Sequence, residues 1–295
     1  MAKTITLPAA PGTGEIYGKA VTALLPGIGK PPRVPSDATA PDTRYRLDDV
    51  RVDPAALQAY CHATGQRFGD TLPLTYPFVL QFPVVMKLMT SDEFPFGAVG
   101  SVHMTNRIER KRPIGAGEPL SIVTHAENLR EHRKGMLIDV ISEISVGTEL
   151  VTTQTATFLK QQRTSLSDEP RGPEPKSKTP PPPDAILAVD HKRIRAYAAA
   201  SGDRNPIHMG NLPAKAFGFP KAIAHGMWSA AAAVANVESQ LPDAVTYDVR
   251  FGKPILLPAK VNLYTRRIHG HGSFDISIRD RRKGFPHLTA TTREG

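Results

Sequence analysis

The feature that most restricts the fold of this chain is a succession of segments that occurs twice. DPAALQAYCHATG (Asp53 to Gly65) and DHKRIRAYAAASG (Asp190 to Gly202) share helical spacing of apolar residues and a closing glycine, with Tyr60 matching Tyr197 and Gly65 matching Gly202. A second apolar helix follows in each half, roughly Phe78 to Thr90 and then Gly226 to Ser239 with its AAAAVA core. Each half then turns to strand-like patterning. Val99–Ile108, Leu120–Leu129, Met136–Val146 and Glu149–Leu159 are the strands expected first, and Val245–Phe251, Lys260–Ile268, Ser273–Arg279 and Pro286–Thr292 those expected later. Phe274, Ile276 and Ile278 alternate with polar neighbours, as a half-buried antiparallel strand requires. Even a turn repeats: KRPIGAGE (Lys111 to Glu118) and GKPILLPA (Gly252 to Ala259) occupy matching places.

Two helices followed by about four strands, twice over, define an α+β arrangement and exclude a βαβ one. A helix apolar all round must be buried all round, and an antiparallel sheet wrapped about it does this economically. Between the halves, RTSLSDEPRGPEPKSKTPPPPD (Arg163 to Asp184) has almost no apolar residues and many prolines, so it is expected to be an extended linker. The expected division is residues 1–162, a linker over 163–184, and residues 185–295.

At 295 residues, with 40% hydrophobic and 22% charged side chains, the chain suits two small globular domains. No run of about 18 apolar residues exists, which excludes a transmembrane helix. The start, MAKTITLPAAPGTG, lacks the apolar core of a secretory signal. The single cysteine, Cys61, can form neither an internal disulfide nor a cysteine-based zinc site. These points lead to the expectation of a soluble cytoplasmic protein with no membrane partner. The formal net charge of +9 asks for a polyanion, yet only ERKRP (Glu109 to Pro113) and RDRRK (Arg279 to Lys283) are dense, and no nucleic-acid-binding signature is present. With 6% aromatics there is little stacking surface for single strands, a phosphorylated small molecule suits the charge equally, and charge alone does not choose between the two. The acid–base pair in the later half, which binding alone does not need, leads to the expectation of no nucleic-acid partner.

The run Tyr197-Ala-Ala-Ala-Ser201-Gly202-Asp203-Arg-Asn205-Pro206-Ile-His208 carries the clearest chemistry. Gly202 ends a helix, and Asn205-Pro206 has the form of an N-cap and first position of a short new one. Asp203 and His208 are thereby set on two sides of one tight turn, close enough to share a water as a general acid–base pair; the other reading of the pattern is that Asp203 is a second cap and His208 a surface residue. Further on, IAHGMW (Ile223 to Trp228) puts His225 and Gly226 at the start of the Ala-rich helix, where unpaired backbone N–H groups and the helix dipole favour a developing oxyanion. Glycine there either lets a carbonyl approach closely or serves the packing of the helix entry, and the residues alone favour packing.

YAAASGDRNPIH resembles the signature of the MaoC-like dehydratases, the (R)-specific enoyl-CoA hydratases, whose pattern is G-D-x-N-P-x-H after a helix end of small residues. Five fixed positions match by chance on the order of once in ten thousand chains of this length. AIAHGM and VRFGKPILLP (Val249 to Pro258) are similar to the same family, so the resemblance covers most of residues 185–260. LPLTYPFVLQFP (Leu72 to Pro83) and VHMTNRI (Val102 to Ile108) are similar to the degenerate first half of its two-domain members. The resemblance implies a double hot-dog fold, each unit a long helix wrapped by an antiparallel sheet. It also implies reversible hydration of a trans-2-enoyl thioester to an (R)-3-hydroxyacyl thioester. Asp203 and His208 would be the catalytic pair, Asn205 would orient the turn, and the Gly226 amide would sit in the oxyanion hole. No metal or redox cofactor is implied; coenzyme A enters as part of the substrate, with acyl carrier protein as the alternative carrier. A chain that already contains two hot-dog units would be a monomeric pseudo-dimer or a homodimer.

In the first half Gln66 stands for the aspartate and Thr71 for the histidine, so one active site per chain is expected. That half is read as a structural and substrate-binding partner that could widen the acyl tunnel. Cys61 reads as a small core residue, and His269 and His271 as part of a hairpin turn. Arg250, Lys253, Arg266 and Arg267 are candidates for the phosphates of coenzyme A, with solvated strand ends as the other reading. His103 and His125 fall on expected strands with no assigned role. Two other functions stay open on sequence: an acyl-CoA thioesterase on the same scaffold, and a non-catalytic module that binds acyl carriers or nucleic acid.

Overall fold

Asp53 and Asp190 begin the two halves in the same way, each capping a helix with its carboxylate: Asp53 accepts from the Ala55 N–H at 2.9 Å and Asp190 from the Arg193 N–H at 2.7 Å. In this computed structural model, which describes residues 3–12, 14, 33–98, 100–169 and 181–295, those helices are α1 (Pro54–Thr64) and α3 (His191–Ser201). They end on Gly65 and Gly202, whose positive φ angles, 83° and 73°, are what glycine tolerates. The long second helices are α2 (Pro77–Met89) and α6 (Gly226–Val234). Every residue of α6 from Met227 to Val234 is buried. Beyond Val234 the helix tightens into a 3₁₀ turn over Ala235–Gln240, so the α-helix is shorter than its apolar run suggested.

The strands are β1 (Thr4–Thr6), β2 (Arg44–Val50), β3 (Val102–Arg110), β4 (Leu120–His132), β5 (Gly135–Val146), β6 (Glu149–Gln161), β7 (Ala185–Val189), β8 (Val245–Phe251), β9 (Ala259–Arg267), β10 (Phe274–Asp280) and β11 (Pro286–Glu294). They form one eleven-stranded sheet in the order β1-β2-β4-β5-β6-β3-β8-β11-β10-β9-β7. Apart from β1, the order around the β3–β8 seam is the same in both directions, with β2 corresponding to β7, β4 to β9, β5 to β10 and β6 to β11. The repeat expected from the sequence is thus a pseudo-two-fold in the sheet, and the fold is the expected α+β pair of hot-dog units. The short strands β2 and β7, which precede the first helix of each half, were not among the expected strands.

The seam pairs antiparallel from Thr105 opposite Arg250 to Arg110 opposite Val245. Contacts between the halves continue in the core. The matching tyrosines Tyr60 and Tyr197 meet with ring centroids 5.8 Å apart, and the Trp228 indole N–H donates to the Ala63 carbonyl at 2.9 Å. Trp228 is fully buried, and burial of such a ring contributes roughly 3 kcal/mol. The start of α6 is therefore fastened to the first half as well as to its own.

The tract 170–180 of the expected linker lies outside the described residues. Its beginning is not extended: Thr164 donates to the His132 carbonyl at 2.8 Å and its N–H is capped by the Ser167 hydroxyl at 2.9 Å, which folds residues 165–168 into a turn against the sheet. The local Ser/Thr turn chemistry prevails over the proline-rich composition there.

Candidate active site

Asp203, His208 and His225 come from three consecutive local structures in the second half. Asp203 is the first residue after Gly202. Its carboxylate Oδ1 accepts the Asn205 N–H at 3.2 Å, and Asn205 in turn caps α4 (Pro206–Met209), accepting from the Ile207 N–H at 3.4 Å. His208 rides on α4, which is tied down twice to Ile223: the Ile223 N–H donates to the Ile207 carbonyl at 3.1 Å, and His208 Nδ1 lies 2.8 Å from the Ile223 carbonyl. His225 is the N-cap residue of α6.

One donor atom from each of the three lies within 4.8 Å of those of the other two. Asp203 and His208 thus converge, as the spacing in GDRNPIH predicts. His208 and His225 are buried, while the Asp203 side chain keeps 22% of its exposure and so faces a space that solvent reaches. The Ile223 carbonyl can only accept, so His208 Nδ1 carries the hydrogen and Nε2 is left with its lone pair. Burial pushes the His208 pKa below the ordinary histidine value, against the opposing pull of Asp203, which keeps the ring neutral.

His225, named in the sequence only as a helix-entry residue, is the functional neighbour that the pattern did not single out. Its ring lies over that of His208 with centroids 3.7 Å apart, and its other neighbour is the Tyr197 ring at 4.9 Å. Its Nε2 donates to the Asp203 carbonyl at 2.9 Å and stands 3.9 Å from the Asp203 carboxylate. Burial, reinforced by His208, pushes its pKa down to about 3. The three donors are close enough for a metal, but imidazole lone pairs lie in the ring plane. Two rings stacked at an interplanar angle of 29° cannot aim them at a common ion, and His225 Nε2 is already committed.

Gly226 opens α6 with no side-chain cap on its first turn. A Cβ at Gly226 would come within 3.1 Å of the Phe251 ring, so the glycine is packed on β8 while its N–H belongs to the uncapped helix start. Of the candidate phosphate ligands, Arg266 pairs with Asp275 and Arg267 bonds Gln240, whereas Lys253 Nζ lies 4.5 Å over the Phe285 ring and Arg250 is on the seam. Cys61 is buried on α1, and His269 and His271 lie between β9 and β10 as expected.

The first half keeps the helix end but not the site. Gln66 takes the place after Gly65, and its Oε1 accepts from Thr75, which also bonds the Tyr60 hydroxyl. Thr71 does not stand where His208 does. It bridges Gly115, whereas in the second half it is Ile223 that bridges the matching turn, at Leu256. The first half goes from its helix-ending glycine to this bridge without the segment that bears α4 and α5 (Asn211–Ala216), so the histidine position is missing rather than substituted.

Two hot-dog units in one sheet define a double hot-dog protein, and among the described residues a carboxylate and an imidazole converge beside a helix N-terminus in the second unit only. The chain belongs to the MaoC-like dehydratase family. The MaoC like domain model matches residues 172–281. The 3-hydroxyacyl-thioester dehydratase X of Mycobacterium tuberculosis is 49% identical over 270 residues, which cover 92% of this chain and 96% of that protein. A crystal structure of HtdX from the same organism superposes with a TM-score of 0.77 at 49% identity, covering 85% of this chain and 99% of that one. A MaoC-like dehydratase from Phytophthora capsici has the same fold, with a TM-score of 0.70 at 18% identity over 90% of this chain and 98% of that one. Among the described residues no helix is long and apolar enough to cross a membrane.

Proposed function

We propose that this protein catalyses the reversible hydration of a trans-2-enoyl thioester to an (R)-3-hydroxyacyl thioester, with Asp203 and His208 as the catalytic pair. The observation that carries this reading is the convergence of the Asp203 carboxylate and the neutral His208 ring next to the uncapped start of α6. Family membership and the name of the Mycobacterium tuberculosis relative, a 3-hydroxyacyl-thioester dehydratase, support the same reaction class.

In the hydration direction a water sits between His208 Nε2 and the Asp203 carboxylate. His208 takes one proton as the oxygen adds to the β-carbon. The other hydrogen stays on that oxygen as the product hydroxyl, donating a hydrogen bond to the Asp203 carboxylate, whose charge also favours the imidazolium that forms. The imidazolium returns its proton to the α-carbon on the same face, so one water is added and no group is left over. Negative charge that gathers on the thioester oxygen is held by the Gly226 N–H and the positive end of α6. Asn205 fixes the turn that sets the distance from Asp203 to His208. His225 forms the wall behind His208 and braces the Asp203 backbone.

The carrier is coenzyme A or an acyl carrier protein, and the site is complete within one chain because both hot-dog units are present. The single buried thiol of Cys61, pushed up to about 11 by burial, is unreactive and takes no part in the chemistry. The test is incubation with trans-2-decenoyl-CoA. Loss of enoyl absorbance with chiral (R)-3-hydroxydecanoyl product and no free thiol is the expected result. Release of coenzyme A would identify a thioesterase instead, and no change in either signal would overturn the reading.

A further inference from the structure

β3 runs along the seam between the halves, and near its start stands an imidazole that the mechanism does not use. His103 pairs with Phe158 in the β3–β6 register, and its ring stacks on Phe158 at 4.7 Å, tilts against Phe251 at 4.8 Å and lies 6.2 Å from Phe78. Phe251 is the ring on which Gly226 rests, within 3.1 Å of where a Cβ would be. The imidazole of the first half and the helix start of the second therefore share one phenyl ring as a common wall.

His103 Nε2 is buried and has no hydrogen-bond partner. The rest of the ring is held by three phenylalanine rings, the Thr105 backbone and the Asn106 side chain, which explains the packing of the imidazole. Its Nε2 is left as a buried polar atom that costs stability without a partner. Burial pushes the ring down to about 4, against the opposing effects of its hydrogen bond with the Thr105 backbone, the nearby Asp203 carboxylate and Asn106, so at neutral pH it is an uncharged hydrogen-bonding group. Such a group makes sense where a ligand brings the missing partner.

We infer that His103 Nε2 hydrogen-bonds a carbonyl or amide at the thioester end of the bound substrate, so that the first half contributes a polar contact to a site whose proton-transferring groups all lie in the second. This rests on the acyl-thioester reading. His103 touches neither the water nor the carbons that react, and it acts as a binding and positioning residue. Its loss is felt in affinity rather than in the chemical step.

The test uses the full chain and decanoyl-CoA, a saturated thioester that cannot be hydrated, titrated by calorimetry into the wild type, His103→Phe and His103→Gln. His103→Phe keeps the aromatic packing and removes the hydrogen bond. It is expected to bind decanoyl-CoA about tenfold more weakly, to raise KM for trans-2-decenoyl-CoA in step with kcat little changed, and to remain folded at the assay temperature. His103→Gln, which keeps an amide, is expected to recover part of the affinity, and this comparison stands by itself if the phenyl is not accommodated. Wild-type affinity and KM in His103→Phe, or no recovery in a folded His103→Gln when Phe is not accommodated, would overturn the inference. Failure of the wild type to bind decanoyl-CoA at all would overturn the thioester reading beneath it.

Discussion

His225 lies face to face with His208, ring centroids 3.7 Å apart, and at the same time donates from Nε2 to the main-chain carbonyl of Asp203 at 2.9 Å. One buried side chain thus touches both members of the proposed pair, the imidazole through its face and the carboxylate-bearing residue through its backbone. Because burial keeps His225 neutral, it can brace the pair without competing for the proton in transit.

That arrangement separates two contributions of His225. His225→Phe keeps a ring to stack on and loses the hydrogen bond to Asp203, whereas His225→Ala loses both. We expect kcat to fall about tenfold in the first and about a hundredfold in the second, since displacements of about 1 Å cost this much where orientation matters. KM should change little in either. Steady-state kinetics on trans-2-decenoyl-CoA measures both, and an Ala variant with wild-type kcat would remove His225 from the site.

Asp203→Asn and His208→Gln change charge and proton affinity while keeping size. Each is expected to lower kcat by about 10²–10⁴-fold, the usual range for a general acid–base group. The base form of His208 is needed for hydration, and its pKa lies below the ordinary value of about 6.5. The rate of the wild type should therefore hold as pH falls past 6.5 and decline only at lower pH. A pH–rate profile of kcat/KM tests this, and an acid limb centred above 6.5 would contradict it.

The turn from Gly202 to His208 could be read from the sequence because everything that shapes it is local: a glycine in the left-handed region, an Asn-Pro start and fixed spacing between the two side chains. The helices and the long strands were legible for a similar reason, since α6 is apolar throughout and β10 alternates strictly. What was not legible depends on contacts between distant segments. His225 meets His208 only because Ile223 is pinned to α4. His103 approaches the site only because β3 and β8 pair across the halves. The short strands β2 and β7 owe their state to neighbours β4 and β9, and the equal spacing of Gln66 to Thr71 and Asp203 to His208 conceals the missing segment that puts Thr71 in register with Ile223 rather than His208.

Gly226 admits a test that distinguishes packing from chemistry. In Gly226→Ala the new methyl meets the Phe251 ring at 3.1–3.3 Å, so the ring must give by a few tenths of an ångström, while alanine favours the helix by up to about 1 kcal/mol. The melting temperature should change by only a few degrees, and kcat/KM should fall tenfold or more as the methyl crowds the thioester oxygen. Adding Phe251→Leu relieves the contact. If the double variant regains stability but not activity, the glycine serves the approach of substrate; recovery of activity would leave it a packing residue only.

Histidines at and beside the site make the stability of this fold sensitive to acid. His103 and His225 are pushed down to about 4 and about 3, and His208 is lowered as well, all by burial. In the unfolded chain each titrates near 6.5, so above that pH their contribution to stability is fully present. As pH falls below 6.5 the unfolded chain takes up protons that the folded one refuses, and each site lowers stability by about 1.4 kcal/mol per pH unit until its folded pKa is reached. For His103 the whole effect, from about 6.5 to about 4, is on the order of 3 kcal/mol. Urea unfolding at pH 7 and pH 4.5 should therefore show a marked loss in the wild type. The loss should be smaller by about 2–3 kcal/mol in His103→Phe, which has nothing to protonate at that position. An identical pH dependence in the two proteins would mean that the His103 ring takes up its proton in the folded state as readily as in the unfolded chain.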